Sequence, residues 1–562
     1  MKRLYIFILF IIVVACQSTE TKNRTTGLVV DSAMVVSAHP LASKVGVDIL
    51  KKGGNAIDAA IATQFALAVV YPGAGNIGGG GFMLARMKDG SVDALDYREK
   101  APSKATANMY LGETGEAIPA LSQSGHLASG VPGTVAGLDD AHKKYGKLPW
   151  ADLVQPAIDL ALNGFILTEK EASGMRYIQE DLKKYNSVLP SQLINDNWKA
   201  GDTIKHIELG HALERIRDNG RAGFYEGQTA KDIVDEMERG NGLITYEDLK
   251  NYNAAWRTPI STHYKGYNVI SMPPPSSGGV ALFQLLKSVE NHPISEWGWN
   301  SAKTVHLMTE AERRAYADRA IYLGDPDFVK VPVEQLTSEQ YVDERMSNFQ
   351  PDKATPSDAI KEGDLNYAES EETTHLSVID KEGNAVSVTT TLNGGYGSHV
   401  VVAGSGFFLN NEMDDFSVKP GAPNMYGAVG GEANKIEPGK RMLSSMTPTI
   451  VEKDGALFMV VGTPGGTTII TSVFQTILNV IDHNMTMQEA VEAKRVHSQW
   501  VPDVVANEKG ALKPEDSVAL VSIGHVFKMR NAIGRVDAIL VRPDKKLEGG
   551  ADPRGDDKAE GY

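Results

Sequence analysis

The stretch 373–391 leaves the backbone little choice. Thr373-Thr374-His375-Leu376-Ser377-Val378-Ile379-Asp380 and Asn384-Ala385-Val386-Ser387-Val388-Thr389-Thr390-Thr391 flank Lys381-Glu382-Gly383. This reads as a β-hairpin whose three-residue loop ends in a glycine suited to the left-handed position after a type I turn. With Asp380 facing Asn384, the register pairs Val378 with Val386, Leu376 with Val388, Ser377 with Ser387 and His375 with Thr389. It sorts the hairpin by chemistry, since Leu376, Val378, Val386 and Val388 share one face. The other face, beyond Ile379 and Ala385 at the turn, carries hydroxyls and an imidazole, and a one-residue slip would mix the two sets. Continued outward, the register sets Thr373 opposite Thr391, with their hydroxyls expected within hydrogen-bond reach.

Threonine is common on strands for its β-propensity alone, so Thr373 on its own reads as structural. The preceding sequence changes that weight. Residues 350–372, with Pro351, Pro356, Asp358, Glu362, Asp364, Glu369, Glu371 and Glu372, form the one clear compositional break and read as an exposed, poorly packed segment. The Glu372–Thr373 peptide bond therefore sits at a natural boundary. A threonine hydroxyl is a poor nucleophile until a base takes its proton, and a free N-terminal amine, with an ordinary pKa of about 8, is such a base on the same residue. Cleavage before Thr373 would create the catalyst.

The chain has 562 residues, enough for one large unit or several smaller ones. Hydrophobic residues at 42% and charged residues at 23% are the usage of folded globular proteins. Apolar residues at helical spacing over 41–71, broken at Gly53-Gly54, and over 153–162 and 305–321, predict buried or half-buried helices. Short β-branched runs at 376–379, 385–391, 457–461 and 538–541 predict a strand-rich C-terminal third. Lys and Arg number 56 against 71 Asp and Glu, a net charge of −15 with no basic stripe. Nucleic acid is excluded as an expected partner.

The single cysteine, Cys16, rules out a disulfide framework within the chain. It follows Lys2, Arg3 and an apolar run over 4–15 that is long enough for a signal-peptide core and short of the roughly 20 residues of a membrane-spanning helix. Val13-Val14-Ala15-Cys16 resembles a bacterial lipobox, with Gln17 following. The expectation is a signal peptide over 1–15, acylated Cys16 as the first mature residue and a polar tether over 16–26. The protein would then be exported, on the periplasmic side and lipid-anchored to a membrane, the outer membrane in this reading. An ordinary cleaved signal with an incidental cysteine is the alternative.

Several motifs fall away. Gly73-Ala74-Gly75-Asn76-Ile77-Gly78 fits G-x-G-x-x-G but follows a helical pattern and precedes more glycine, the wrong context for a dinucleotide site. No P-loop, H-E-x-x-H or G-x-S-x-G occurs, and the 13 histidines are scattered, with His206 and His211 at a spacing that does not share a helix face. No metal is expected.

Longer motifs carry a family resemblance. Asp96-Tyr97-Arg98-Glu99-Lys100-Ala101-Pro102, Gly130-Val131-Pro132-Gly133-Thr134-Val135-Ala136-Gly137, Glu372-Thr373-Thr374-His375, Leu409-Asn410-Asn411-Glu412-Met413-Asp414-Asp415-Phe416, Leu443-Ser444-Ser445-Met446 and Gly462-Thr463-Pro464-Gly465-Gly466 resemble the γ-glutamyltranspeptidases, a family of N-terminal-nucleophile hydrolases. The resemblance runs from about residue 27 to the C-terminus. It implies an α+β fold with a four-layer αββα sandwich, self-cleavage between Glu372 and Thr373, a large subunit over 27–372 behind its tether and a small subunit over 373–562, the two remaining associated. No cofactor is implied.

The resemblance also implies roles. Thr373 is the nucleophile and Thr391 steadies it, while Gly465 and Gly466 form the oxyanion hole. Arg98, with Ser444, Ser445 and Asn393, takes the α-carboxylate of a γ-glutamyl group, and Glu412 and Asp415 take its α-ammonium. Tyr426, within the segment 420–434, belongs to a lid. Singly, Arg98 also reads as a surface ion pair with Asp96 or Glu99, and Ser444-Ser445 as a turn. The implied activity is glutathione hydrolysis and γ-glutamyl transfer to water, amino acids or peptides. Rival readings are a cephalosporin or glutaryl acylase of the same ancestry, and a catalytically dead lipid-anchored binding protein.

Overall fold

The structure is a computed structural model, and it describes residues 24–360, 373–419 and 421–562. In chain order, the strands that build its two main sheets are β1 (Val29–Val30), β2 (Met34–Ser37), β3 (Gly80–Arg86), β4 (Val92–Asp96), β5 (Ala255–Arg257), β6 (Ile260–Tyr264), β7 (Tyr267–Ser271), β8 (Thr374–Ile379), β9 (Ala385–Thr391), β10 (Thr449–Lys453), β11 (Ala456–Gly462), β12 (Asp537–Val541), β13 (Leu547–Ala551) and β14 (Lys558–Gly561). One sheet has the order β14-β2-β8-β9-β3-β4-β5 and the other β1-β13-β12-β11-β10-β7-β6. Every neighbouring pair is antiparallel.

The strands alternate, and the alternation makes four layers. Met34, Val36, Phe82, Leu84, Ile379, Ala385, Ile450, Val460 and Ile539 form the core between the sheets. Leu376, Val378, Val386 and Val388 point the other way, into a core shared with helices α1 (Pro40–Lys51), α2 (Ala56–Val70), α3 (Thr134–Tyr145) and α4 (Trp150–Asn163). On the far side Val451, Met459, Val461 and Leu540 pack against α5 (Gly278–Glu290), α6 (Ala302–Tyr322) and α7 (Thr468–Ile481). Helix, sheet, sheet and helix follow in order, the expected αββα sandwich.

Local sequence explains the boundaries. Pro40 starts α1, with Nδ1 of His39 accepting the Leu41 N–H. A reciprocal capping box between Asn55 and Asp58 starts α2, which is apolar and buried on every face. The glycine-rich stretch before β3 is preceded by α2 and followed by a strand, so the dinucleotide context is absent.

The hairpin has the register read from sequence, from Ile379↔Ala385 to Thr374↔Thr390, with His375↔Thr389, Leu376↔Val388, Ser377↔Ser387 and Val378↔Val386. Gly383 closes the loop at φ +86°, and its N–H donates to Asp380 O at 3.0 Å. The polar face turns inward between the sheets. Ser377 donates to Asp537 O, Ser387 accepts the Thr449 N–H, and the His375 ring spans Thr389 and Ser377.

One expectation is corrected. Residues 351–360 are not uniformly loose, since Ala354, Ser357 and Ile360 are buried. Ala354 N–H donates to Ile523 O, Ser357 N–H to Asp503 and Ser357 Oγ to Trp500 O. The acid-rich composition marks the exposed positions, while the small and apolar residues between them are pinned to later parts of the chain. Residues 361–372, including Glu372, lie outside the described residues, as do Cys16, the signal and most of the tether.

Candidate active site

Thr373 precedes β8 at the centre of its sheet, and Thr391 ends β9 beside it. Both are buried and line one cavity with Arg98, Asn393, Glu412, Asp415, Tyr426, Ser444, Ser445 and Gly466. Its volume is about 20 Å³, room for roughly one water. Gly465 lies one residue behind Gly466 at the start of α7, its carbonyl accepting the Thr468 N–H at 2.9 Å. The described candidate residues thus come together from distant parts of the sequence. Thr391 Oγ1 accepts the Asn393 N–H at 2.7 Å, which ties the end of β9 to a residue at φ +74°.

Arg98 is no surface ion pair. It is 1% exposed, and its Nη1 and Nη2 each lie 2.5 Å from a carboxylate, those of Glu412 and Asp415. Glu99 approaches at 3.4 Å. Asp96 pairs instead with Arg257 and Arg441. Burial opposes the charge on Arg98, but Glu412, Glu99 and Asp415 outweigh it and hold its pKa above the ordinary value. Burial pushes Glu99 up to about 8 and raises Glu412 as well, in both against the downward pull of Arg98.

Ser444 and Ser445 are more than a turn. Ser444 forms an isolated parallel bridge with Ser276, and its carbonyl accepts both the N–H and the hydroxyl of Ser277. Tyr426, 5% exposed, closes the cavity. Its O–H donates to Asn393 O, and its carbonyl accepts from Gln499 Nε2 at 3.1 Å.

Sequence reasoning missed four contributors. Asn424 donates to Asp415 at 2.7 Å and accepts the N–H groups of Tyr426 and Ala428. Asp414 accepts from Met425 N–H and Ser122, with burial raising its pKa to about 7. Gln499 joins Tyr426 to Thr467, and Arg319 lines the cavity from α6. Arg319 had a signal in the sequence, because α6 is buried almost all round yet carries Glu310, Glu312, Arg313, Arg314, Asp318 and Arg319. Charges on a fully packed helix call for internal partners.

Two facing antiparallel sheets between helical layers, with a threonine at the head of a central strand, define the class of N-terminal-nucleophile hydrolases. Residues 42–562 match the Gamma-glutamyltranspeptidase family, and the chain belongs to that family. It is 49% identical over 542 residues to the glutathione hydrolase proenzyme of Escherichia coli (strain K12), covering 94% of this chain and 92% of that one. Among solved structures, a cephalosporin acylase from Bacillus halodurans superposes with a TM-score of 0.83 at 28% identity, covering 98% of this chain and 99% of the other. The Helicobacter pylori gamma-glutamyltranspeptidase gives 0.57 at 45% identity, covering 62% and 99%.

Proposed function

We propose that the protein is a γ-glutamyltransferase and glutathione hydrolase that activates itself by cleaving before Thr373. The observation that carries the reading is the single cavity in which Thr373, Thr391 and Gly466 meet the Arg98, Glu412, Asp415 cluster. A γ-glutamyl head group is a zwitterion, and this cavity offers fixed charges of both signs beside a nucleophile. The 49% identity to a glutathione hydrolase proenzyme, against 38% to the acylase ACY 1 proenzyme of Pseudomonas sp. (strain V22), favours a γ-glutamyl donor over a glutaryl-type acyl group.

In this mechanism the Thr373 hydroxyl first attacks the Glu372 carbonyl, and water opens the resulting ester to free the Thr373 amine. That amine then takes the hydroxyl proton as Oγ attacks the γ-amide carbonyl of the donor. The backbone N–H groups of Gly465 and Gly466, at the positive end of α7, receive the developing oxyanion, and each such donor is typically worth ~3 kcal/mol. Collapse breaks the C–N bond, the leaving amine takes the proton from the Thr373 ammonium, and a γ-glutamyl ester on Thr373 remains. Water or an acceptor amine takes the acyl group by the reverse sequence. The segment around Tyr426 covers this cavity and would move to admit the donor.

N-terminal sequencing of the smaller band on a denaturing gel tests the reading, with Thr373 expected first and glutathione cleaved by the same material. A single band with full activity would end it, while two bands that release glutaryl but not γ-glutamyl groups would favour the acylase.

The N-terminal sequence supports export, with acyl chains on Cys16 holding the protein to a membrane facing the periplasm. No helix among the described residues is long and apolar enough to cross a membrane. Cys16→Ser should move the protein from the membrane to the soluble fraction, and unchanged fractionation would exclude the anchor.

A further inference from the structure

Arg98 and Arg319 are the two guanidinium groups on the Thr373 cavity, and they are partnered differently. Arg98 meets carboxylates on both Nη atoms. Arg319, 7% exposed on α6, meets hydroxyls: its Nε donates to Ser277 Oγ at 3.0 Å and its Nη2 to Ser445 Oγ at 3.2 Å. No carboxylate among the described residues forms an ion pair with it. A buried guanidinium stays charged and is costly to leave without a counter-charge.

The hydroxyl protons around it are constrained. A serine hydroxyl has one proton to donate. Ser277 gives its proton to Ser444 O at 2.6 Å. Ser445 Oγ accepts from Arg319, and Ser444 Oγ accepts from the Met446 N–H at 3.1 Å. Neither of these two hydroxyls has an acceptor among the described residues, and both line the cavity. The protein thus presents two O–H donors, one of them polarised by a buried cation, to whatever enters. The complement of that arrangement is an acceptor-only anion of carboxylate size.

We propose that Arg319 is a positioning residue for the carboxylate end of the acyl donor, fixing Ser445 Oγ so that its proton points into the cavity and supplying the positive charge that Arg98 has already given to Glu412 and Asp415. The proposal rests on the γ-glutamyl reading above. It assigns recognition of the donor's α-carboxylate to two cations, one bracketed by acids and one acting through a serine. Burial also lowers the pKa of Arg319, more than the nearby Tyr316 and Asp415 raise it.

The test uses the processed enzyme and two chromogenic donors, the γ-glutamyl anilide and the 4-aminobutyryl anilide, which keeps the ammonium and lacks the α-carboxylate. Arg319→Gln should lower kcat/KM for the γ-glutamyl anilide by about 10- to 100-fold, mainly through KM, and change it for the 4-aminobutyryl anilide by less than about 3-fold. Arg319→Gln combined with Ser445→Ala should be little worse than the more damaging single change. Equal losses on both donors, or no loss on either, would overturn the proposal. If Arg319→Gln does not accumulate as two chains, Arg319→Lys carries the same comparison, because one ammonium cannot reproduce the guanidinium fork on Ser277 and Ser445. A wild-type enzyme that does not prefer the γ-glutamyl anilide would instead refute the γ-glutamyl reading itself.

Discussion

The ring of Tyr426 rests on the backbone of Gly466, where a Cβ would lie 2.5 Å from ring Cδ1 and 2.8 Å from Cε1. Gly466 is also at φ +53°, in the left-handed region. The segment that closes the cavity and the turn that opens α7 are therefore in direct contact, and displacing one disturbs the other. Gly466→Ala keeps the N–H but displaces it, so on the proposed oxyanion role kcat should fall by up to about 100-fold. If the ring contact is the cause, Tyr426→Ala in the same chain restores at least several-fold, read from initial rates. A double variant as slow as the single would leave backbone conformation alone responsible.

Tyr426→Ala by itself tests the lid. Removing the ring and its bond to Asn393 O opens the acyl-enzyme to water, so the ratio of hydrolysis to transfer should rise several-fold at fixed acceptor concentration. Product analysis with a dipeptide acceptor measures it, and an unchanged ratio contradicts the lid role.

The hairpin was legible because its register is over-determined: a period-2 pattern, a glycine-closed loop and two chemically distinct faces agree on one answer. The buried helices were legible by their long runs of small and apolar residues. What the sequence hid was partnership across the fold. Nothing near residue 98 indicates that Arg98 reaches Glu412 and Asp415 more than 300 positions away, and those candidate roles came from resemblance rather than from spacing. Arg319 was legible only as one of several charges on a packed helix and Gln499 not at all, because each acts through a neighbour's hydrogen bond, a relation that exists only once α6 and the 497–500 turn are packed. The opposite error, at residues 351–360, arose because composition averages over a segment whose buried residues are a minority.

With Thr373 as the proposed nucleophile, removing its hydroxyl should abolish both reactions. Thr373→Ala is expected as one uncleaved band with activity down by about 1,000-fold or more. Thr373→Ser keeps a hydroxyl and should still process, more slowly. Time courses on denaturing gels distinguish the two, and a cleaved Thr373→Ala protein would place the scissile chemistry elsewhere.

Asp415 is the more accessible of the two acids on Arg98, with 13% side-chain exposure against none for Glu412. Asp415→Asn keeps the shape and the bond from Asn424 but removes a charge, so KM for a γ-glutamyl donor should rise by roughly 10- to 100-fold with processing intact. Glu412→Ala leaves a buried cation half-compensated and should cost about 3 kcal/mol or more of stability, seen as a drop in Tm. Equal effects of the two changes on KM and Tm would refute this division of roles.

His375 sets an acid limit on the fold. Its ring is fully buried between the sheets, in a niche where a Cβ on Gly462 would come within 2.2 Å, and burial drives its pKa down to about 3 from an ordinary 6.5. Between those values the unfolded chain binds a proton that the folded chain refuses, so the residue withdraws up to about 1.4 kcal/mol of stability for each pH unit below 6.5. Glu99 has the opposite sign: held up to about 8, it keeps a proton that the unfolded chain gives up from pH 4.5, and its contribution shrinks as pH rises toward 8. Between pH 6.5 and 4.5 these two slopes cancel, and the fall of Tm on acidification is set by the buried histidines together, His375 with His206 and His497. His375→Gln should flatten that fall while lowering Tm at pH 7, since a neutral amide replaces the ring without filling its niche. An equally steep acid limb in the variant would show that other groups set it, His206 and His497 first, since burial lowers both to about 4.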